Sequence, residues 1–180
     1  MKRTIVNPII KDIVTFLHTS EETGGKMTQA EITLMPGGGN PLHYHKTYSE
    51  TFRPIDGELS VKLGKNNSKT LKPGESYTVA PMAVHGFFNP TDKEIKFNIT
   101  LTPGHTGFEN SLRIIYGLAS DGLTDKNTIP KSIKHTAIIV CMSDMNLPGL
   151  FTILFPLLKF IAKRAKTSGE EQKLIDKYCM

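Results

Sequence analysis

Ile95, Phe97, Ile99 and Leu101 alternate with Lys96, Asn98, Thr100 and Thr102. Side chains point to opposite faces of a strand with period 2, so this run predicts a half-buried strand with one apolar face. Residues 26–35 repeat the pattern, with Ala30, Ile32 and Leu34 on one face and Gln29, Glu31 and Thr33 on the other. Shorter strands are predicted at 9–18, 58–63, 68–71 and 77–80, and from His85 onward. Turn-forming sequences separate them: the polar, Gly-rich stretch 19–25, Gly64-Lys65-Asn66-Asn67, Pro73-Gly74-Glu75 and Asn89-Pro90-Thr91-Asp92. Many short strands at this spacing indicate a sandwich or barrel.

The pattern changes after Pro103-Gly104. Thr106-Gly-Phe-Glu109 is a capping-box sequence, and Phe108, Leu112, Ile115 and Ala119 follow at helical spacing. Residues 121–127 read as a loop. A helix is expected over 130–145, although 136–141 fits a buried strand by periodicity alone. Pro148 suits the first turn of another helix running to about residue 166, and Ser168-Gly-Glu-Glu171 caps a last short one. The organisation expected is a β domain over 1–104 and a helical C-terminal extension over 105–180, packed on the β domain or at a dimer interface.

At 180 residues, with 38% hydrophobic and 22% charged residues, the chain suits one globular domain with an appendage. The net charge of +5 comes from dispersed basic residues, apart from Lys159, Lys163, Arg164 and Lys166. No nucleic-acid-binding signature accompanies them, so they read as a solvated surface and no nucleic-acid partner is expected. Cys141 and Cys179 are far apart and outside any C-x-x-C pattern, which argues against a thiolate zinc site and fits a reducing compartment. After Met1-Lys2-Arg3, the residues Pro8, Lys11 and Asp12 interrupt the apolar run too early for a signal peptide, so a cytoplasmic location is expected. The uncharged run 145–158 is too short to span a bilayer, and Pro148, Gly149 and Pro156 break it.

The chemistry is concentrated elsewhere. His43 and His45 share a strand face, Glu50 begins the next strand, and His85 opens a later one. Three imidazoles and a carboxylate without thiolate suit a divalent first-row metal. Phe52 shares the face of Glu50, and Phe87 and Asn89 share that of His85. Tyr48 lies between ligands, placed to donate a hydrogen bond to substrate, while alternation sends Arg53 outward. His18, His105 and His135 have no spaced partners and read as surface or core residues. Gly37-Gly38-Gly39 lacks the Lys-Ser/Thr and helix of a phosphate loop and reads as a connection between strands.

Gly37, His43-x-His45, Glu50 and Gly57, followed by Gly74, Pro81, His85 and Asn89, resemble the two motifs of the cupin superfamily, small β-barrels of the jelly-roll type. The first motif matches at every position. In the second, Ala80 stands where proline is usual, Pro81 is displaced by one, and Met82 stands at the turn glycine. The resemblance covers roughly residues 26–102. It implies a mainly β, antiparallel jelly-roll barrel with the helices appended, and often a homodimer. It also implies one divalent ion (iron, manganese, nickel, cobalt or zinc) on His43, His45, Glu50 and His85, and a small-molecule ligand or substrate. The activity expected is that of a metal-dependent dioxygenase, with Glu50 also shuttling a proton and Phe52, Phe87, Phe97 and Tyr48 around the substrate. A non-catalytic binding or sensor module is the alternative.

Overall fold

A computed structural model describes residues 2–149 and 151–180, apart from the side chain of Phe151; Met1 and Leu150 lie outside the described residues. Nine strands come first: β1 (Thr4–Val6), β2 (Ile13–His18), β3 (Thr28–Leu34), β4 (Ser49–Asp56), β5 (Leu59–Leu63), β6 (Asn67–Leu71), β7 (Tyr77–Val79), β8 (His85–Phe88) and β9 (Ile95–Thr102). They form a six-stranded sheet in the order β1-β2-β3-β9-β4-β7 and a three-stranded sheet in the order β6-β5-β8. Every strand pair is antiparallel.

β9 is the organising strand. It pairs with β3 from Thr28↔Leu101 to Leu34↔Ile95, and on its other edge with β4 from Ser49↔Thr102 to Asp56↔Lys96. Its alternation has the expected consequence: Ile95, Phe97, Ile99 and Leu101 are buried in the main core with Phe16, Ala30, Phe52 and Leu59. The expected strand over 9–18 is corrected to a hairpin, with β1 folded back on β2 so that Thr4 pairs with Thr15 and Val6 with Ile13. Pro8 cannot donate to a ladder, the Asn7 side chain accepts from the Ile9 and Ile10 amides, and Lys11 is left-handed at φ 62°.

The helices are α1 (Thr106–Ser120), α2 (Ile133–Met142), α3 (Phe151–Thr167) and α4 (Glu170–Tyr178). α1 is two-faced. Phe108, Leu112 and Ile115 pack on the β core, while Ile114 and Leu118 join Ile138, Leu174 and Cys179 in a second cluster among the helices. Three sequence expectations are corrected here. The cap of α1 is His105, whose Nδ1 accepts from the Phe108 amide, not Thr106. Pro148 precedes α3 rather than opening it. The residue before α4 is left-handed Gly169, and the Ser168 hydroxyl instead donates to the Ala165 carbonyl at the end of α3. α3 packs on α2 and α4, and its first turns leave Ile153, Leu154, Leu157 and Phe160 exposed.

The expected capping carboxylate, Glu109, is used across the fold instead. It accepts from the Ser20 amide and the Thr28 hydroxyl, both at 2.6 Å, and pairs with the buried Arg113 guanidinium at 3.8 Å. Arg113 also lies 4.0 Å over the Phe16 ring. This pair ties α1 to β3 and the loop after β2. Removing one partner of a buried ion pair leaves a desolvated charge, so Arg113→Ala is expected to cost about 3 kcal/mol. Glu109→Gln combined with Arg113→Met is expected to cost less than the sum of the single changes. Chemical denaturation of wild type, Glu109→Gln, Arg113→Met and the double variant checks the coupling, and strict additivity would show that the two charges are not coupled.

Candidate metal centre

The four polar residues at the centre come from both sheets. Glu50 is on β4, at the rung of Val79 and Leu101 in the six-stranded sheet, and His85 opens β8 in the three-stranded one. His43 and His45 precede β4 on an extended segment. His43 bridges His85 directly, each amide donating to the other's carbonyl at 2.8 Å. One ring nitrogen from each histidine and one carboxylate oxygen all lie within 4.8 Å of one another, and all four residues are buried. This is the juxtaposition that the spacing in the sequence predicts.

Each imidazole is turned by its Nδ1. The His43 Nδ1 lies 2.8 Å from the Pro41 carbonyl and the His85 Nδ1 2.9 Å from the Ala83 carbonyl. The His45 Nδ1 lies 2.7 Å from the Tyr48 hydroxyl and 3.1 Å from the Asp144 carbonyl. Tyr48 in turn donates to the Ser143 carbonyl at 2.8 Å, so its oxygen is left to accept the His45 Nδ1 proton. Protons held on Nδ1 leave the Nε2 lone pairs of His43 and His45 for the centre, while the His85 Nε2 donates to the Glu50 carboxylate at 2.9 Å.

The His45 Nε2 is the informative atom. It is buried, 3.4 Å from Glu50 Oε1, and makes no hydrogen bond. A buried acceptor without a partner is costly, and a cation among the four side chains would satisfy it. The electrostatics agree. Burial opposes the charge of Glu50, but the adjoining His45 and His85 outweigh it and hold the carboxyl well below the usual carboxylate range. Burial pushes His43 down to about 4, so it stays neutral and able to ligate. For His85, burial is outweighed by the 2.9 Å contact of its Nε2 with Glu50, which raises its pKa.

Met82, at the position where the cupin pattern has glycine, adopts the left-handed conformation itself, at φ 69°. Its amide donates to the His45 carbonyl at 2.7 Å, and its side chain is 59% exposed, so nothing obstructs it. The turn therefore keeps its geometry at a cost of roughly 1 kcal/mol in backbone strain.

The helical extension supplies support that sequence reasoning missed. Beyond the α2 C-terminus, Tyr44 and Asn146 exchange backbone hydrogen bonds. The Asp144 carboxylate accepts from the Lys46 and Thr47 amides and from the Thr47 hydroxyl. The sequence separation between His45 and Asp144 is 99 residues, and no local pattern announces the contact.

A cavity of about 370 Å³ opens from His43, His45 and Glu50. Its walls are mostly apolar: Phe87 and Ile99 from the strands, Phe108, Leu112 and Ile115 from α1, and Ile139 and Val140 from α2. Of the aromatic residues singled out from sequence, Phe87 is on this wall. Phe52 and Phe97 are fully buried behind it, with ring centres 5.7 and 5.2 Å from that of Phe87. Tyr48 is buried against His45 and orients that ring rather than facing the cavity. His105 packs on Tyr48 and caps α1, and His135 pairs with Glu170. Asp12 also lines the cavity, and burial pushes its carboxyl up from 3.8 to about 6.

Two measurements follow from this geometry. Tyr48→Phe removes one of the two partners of the His45 Nδ1 and is expected to weaken binding of added zinc about tenfold. His45→Ala is expected to abolish it. Competition with a chromophoric chelator checks both, and wild-type affinity in Tyr48→Phe would leave Asp144 as the sole orienting group. For Asp12, the folded protein keeps its proton to higher pH than the unfolded chain, so stability falls as pH rises from 3.8 to about 6 and is flat above. Asp12→Asn is therefore expected to be more stable than wild type by about 2 kcal/mol near pH 8 and by nothing near pH 3. Denaturation midpoints at the two pH values test this, and an equal gain at both would refute it.

A family model described as a cupin domain matches residues 30–102. No curated protein matches the chain. Among solved structures, an RmlC-like cupin from Shewanella frigidimarina is 21% identical, with 58% of this chain and 86% of that one covered and a TM-score of 0.49. A predicted oxalate decarboxylase from Thermotoga maritima is 19% identical, with 56% and 90% covered and a TM-score of 0.49. A double-stranded β-helix protein from Klebsiella pneumoniae is 22% identical, with 52% and 77% covered and a TM-score of 0.46. The matched segment runs from β3 to the end of β9 and contains all four residues of the buried centre, so over residues 30–102 the chain is similar to a cupin domain.

Proposed function

We propose that this protein is a cupin and a metal-dependent enzyme acting on a small, mostly apolar organic molecule, with a dioxygenase as the leading reading. His43, His45, Glu50 and His85 hold one divalent ion, and the two sheets form the halves of a jelly-roll barrel around it. The observation that carries the reading is the buried, partnerless His45 Nε2 beside a carboxylate, at the mouth of an apolar cavity. Bound there, iron, manganese, nickel, cobalt or zinc would supply Lewis acidity and open positions for small ligands.

The chain's own residues do the rest. The apolar wall of Phe87, Phe108, Leu112 and Ile139 excludes water and places an apolar substrate body next to the centre. Glu50 stays ionised because its pKa is lowered, which suits a ligand and makes it a weak base. It therefore takes a proton only from a group that is itself acidic, such as a phenol or diketone polarised at the centre. A binding module without turnover is the second reading. It is favoured by the mostly apolar cavity lining, whose further ionisable groups, Asp12 and Tyr116, lie away from the end formed by His43, His45 and Glu50.

Oxygen uptake by iron-loaded protein across phenolic and diketone compounds separates the two readings. Uptake that requires both iron and one of the compounds, and disappears in His45→Ala, is expected. Saturable binding of a compound without oxygen uptake or product would replace the enzyme with the binding module.

A further inference from the structure

The cavity has a second polar end, remote from the metal centre along the sheet. Glu50 projects at the Leu101 rung of β9. Asp12, just ahead of β2, lies by the Leu34–Ile95 rung at the opposite end of that strand. Between the two polar ends the lining is mostly apolar. Asp12 is 6% exposed, and among the described residues the one hydrogen bond to its carboxylate is a long one, 3.4 Å, from the Met35 amide to Oδ1. Its Oδ2 has no protein partner among the described residues, and no lysine or arginine pairs with it.

Two hydroxyl groups join Asp12 at this end. Tyr116 is buried and lines the cavity, and its hydroxyl makes no hydrogen bond to the described residues. Burial, aided by the charge of Asp12, raises the pKa of that hydroxyl and keeps it protonated. Thr128 lines the same end, with its hydroxyl accepting from the Asn7 side chain at 3.3 Å. Thr128 is a β-branched residue held at φ 64°, a conformation such residues rarely adopt.

A carboxylate buried in an apolar cavity without a cation is unfavourable in the free protein, and burial already displaces its titration. The missing partner is a cation, and the surrounding Tyr116 and Thr128 oxygens provide further acceptors for its protons. We propose that the Asp12 end of the cavity binds an ammonium group, so that the ligand is an elongated, mostly apolar amine with its amine held by Asp12, Tyr116 and Thr128. The proposal builds on the reading of the cavity as the substrate site and adds a class of substrate to it. A primary ammonium carries three donors and one positive charge, which matches one carboxylate and two hydroxyl oxygens.

The test uses 3-phenylpropylamine and its neutral counterpart 3-phenylpropan-1-ol, titrated calorimetrically into zinc-loaded and into chelator-treated protein. Wild type is expected to bind the amine at least about tenfold more tightly than the alcohol in both states. Asp12→Asn is expected to erase that preference while binding the alcohol as wild type does, which also shows that the variant is folded. Tyr116→Phe is expected to weaken amine binding severalfold and to leave the alcohol less affected. The proposal is overturned if wild type does not bind the amine, if the alcohol binds as tightly, or if Asp12→Asn keeps the preference. Because the preference is also read without metal, its loss is separate from failure of the metal centre, which would show as absent zinc binding.

Discussion

Three imidazoles and a carboxylate are buried together beside an apolar core, and the surrounding structure is arranged to make that tolerable. Desolvated polar groups are stable only when each hydrogen-bonding atom has a partner. Here the outer nitrogen of every imidazole is held by a carbonyl or a hydroxyl, and the inner atoms converge on one point. The reciprocal backbone bridge between His43 and His85 ties the segment ahead of β4 to β8 at the site. Glu50 is carried in on β4 by the same β9 ladder that builds the main core. A shift of that ladder by one residue would send Glu50 and the core row outward together.

The helices are more than an appendage. α1 lays Phe108, Leu112 and Ile115 on the β core and closes one side of the cavity, while Glu109 and Arg113 bury a charge pair at the same contact. The turn after α2 grips the segment that carries His45. The cavity is therefore walled by strands on one side and by α1 and α2 on the other, and both contribute to its shape. Its two polar ends differ in character: one is a converging set of ligands, the other a single carboxylate with hydroxyl neighbours.

The alternation of Ile95–Thr102 and the His-x-His, Glu50 and His85 spacing were readable because strand periodicity is local and short-range. That His85 meets Glu50 and the two histidines is implied by the resemblance to the two cupin motifs rather than by periodicity, and the four side chains do converge. The hairpin at the N-terminus was hidden because Ile9 and Ile10 look strand-like, and only the Asn7 side chain and Lys11 turn the chain there. Glu109 sits in a capping-box sequence, yet it is drawn to Ser20, Thr28 and Arg113, since a buried cation competes better for it than a helix terminus. Tyr48 looked like a substrate donor because its position between ligands is visible and its partner Ser143 is not. The roles of Asp12, Tyr116 and Asp144 depend on contacts between distant segments, which periodicity does not encode.

The hold of Ser143, Asp144 and Asn146 on the His45 segment bears on how such a protein is divided into parts. The stretch recognisable as a cupin domain stops at residue 102, yet the groups that orient one of its ligands lie some forty residues further on. A boundary drawn by sequence similarity would therefore cut through the site. His45, inside the matched segment, depends for its orientation on residues outside it. Mutations at the end of α2 can thus turn the His45 ring without touching the matched segment.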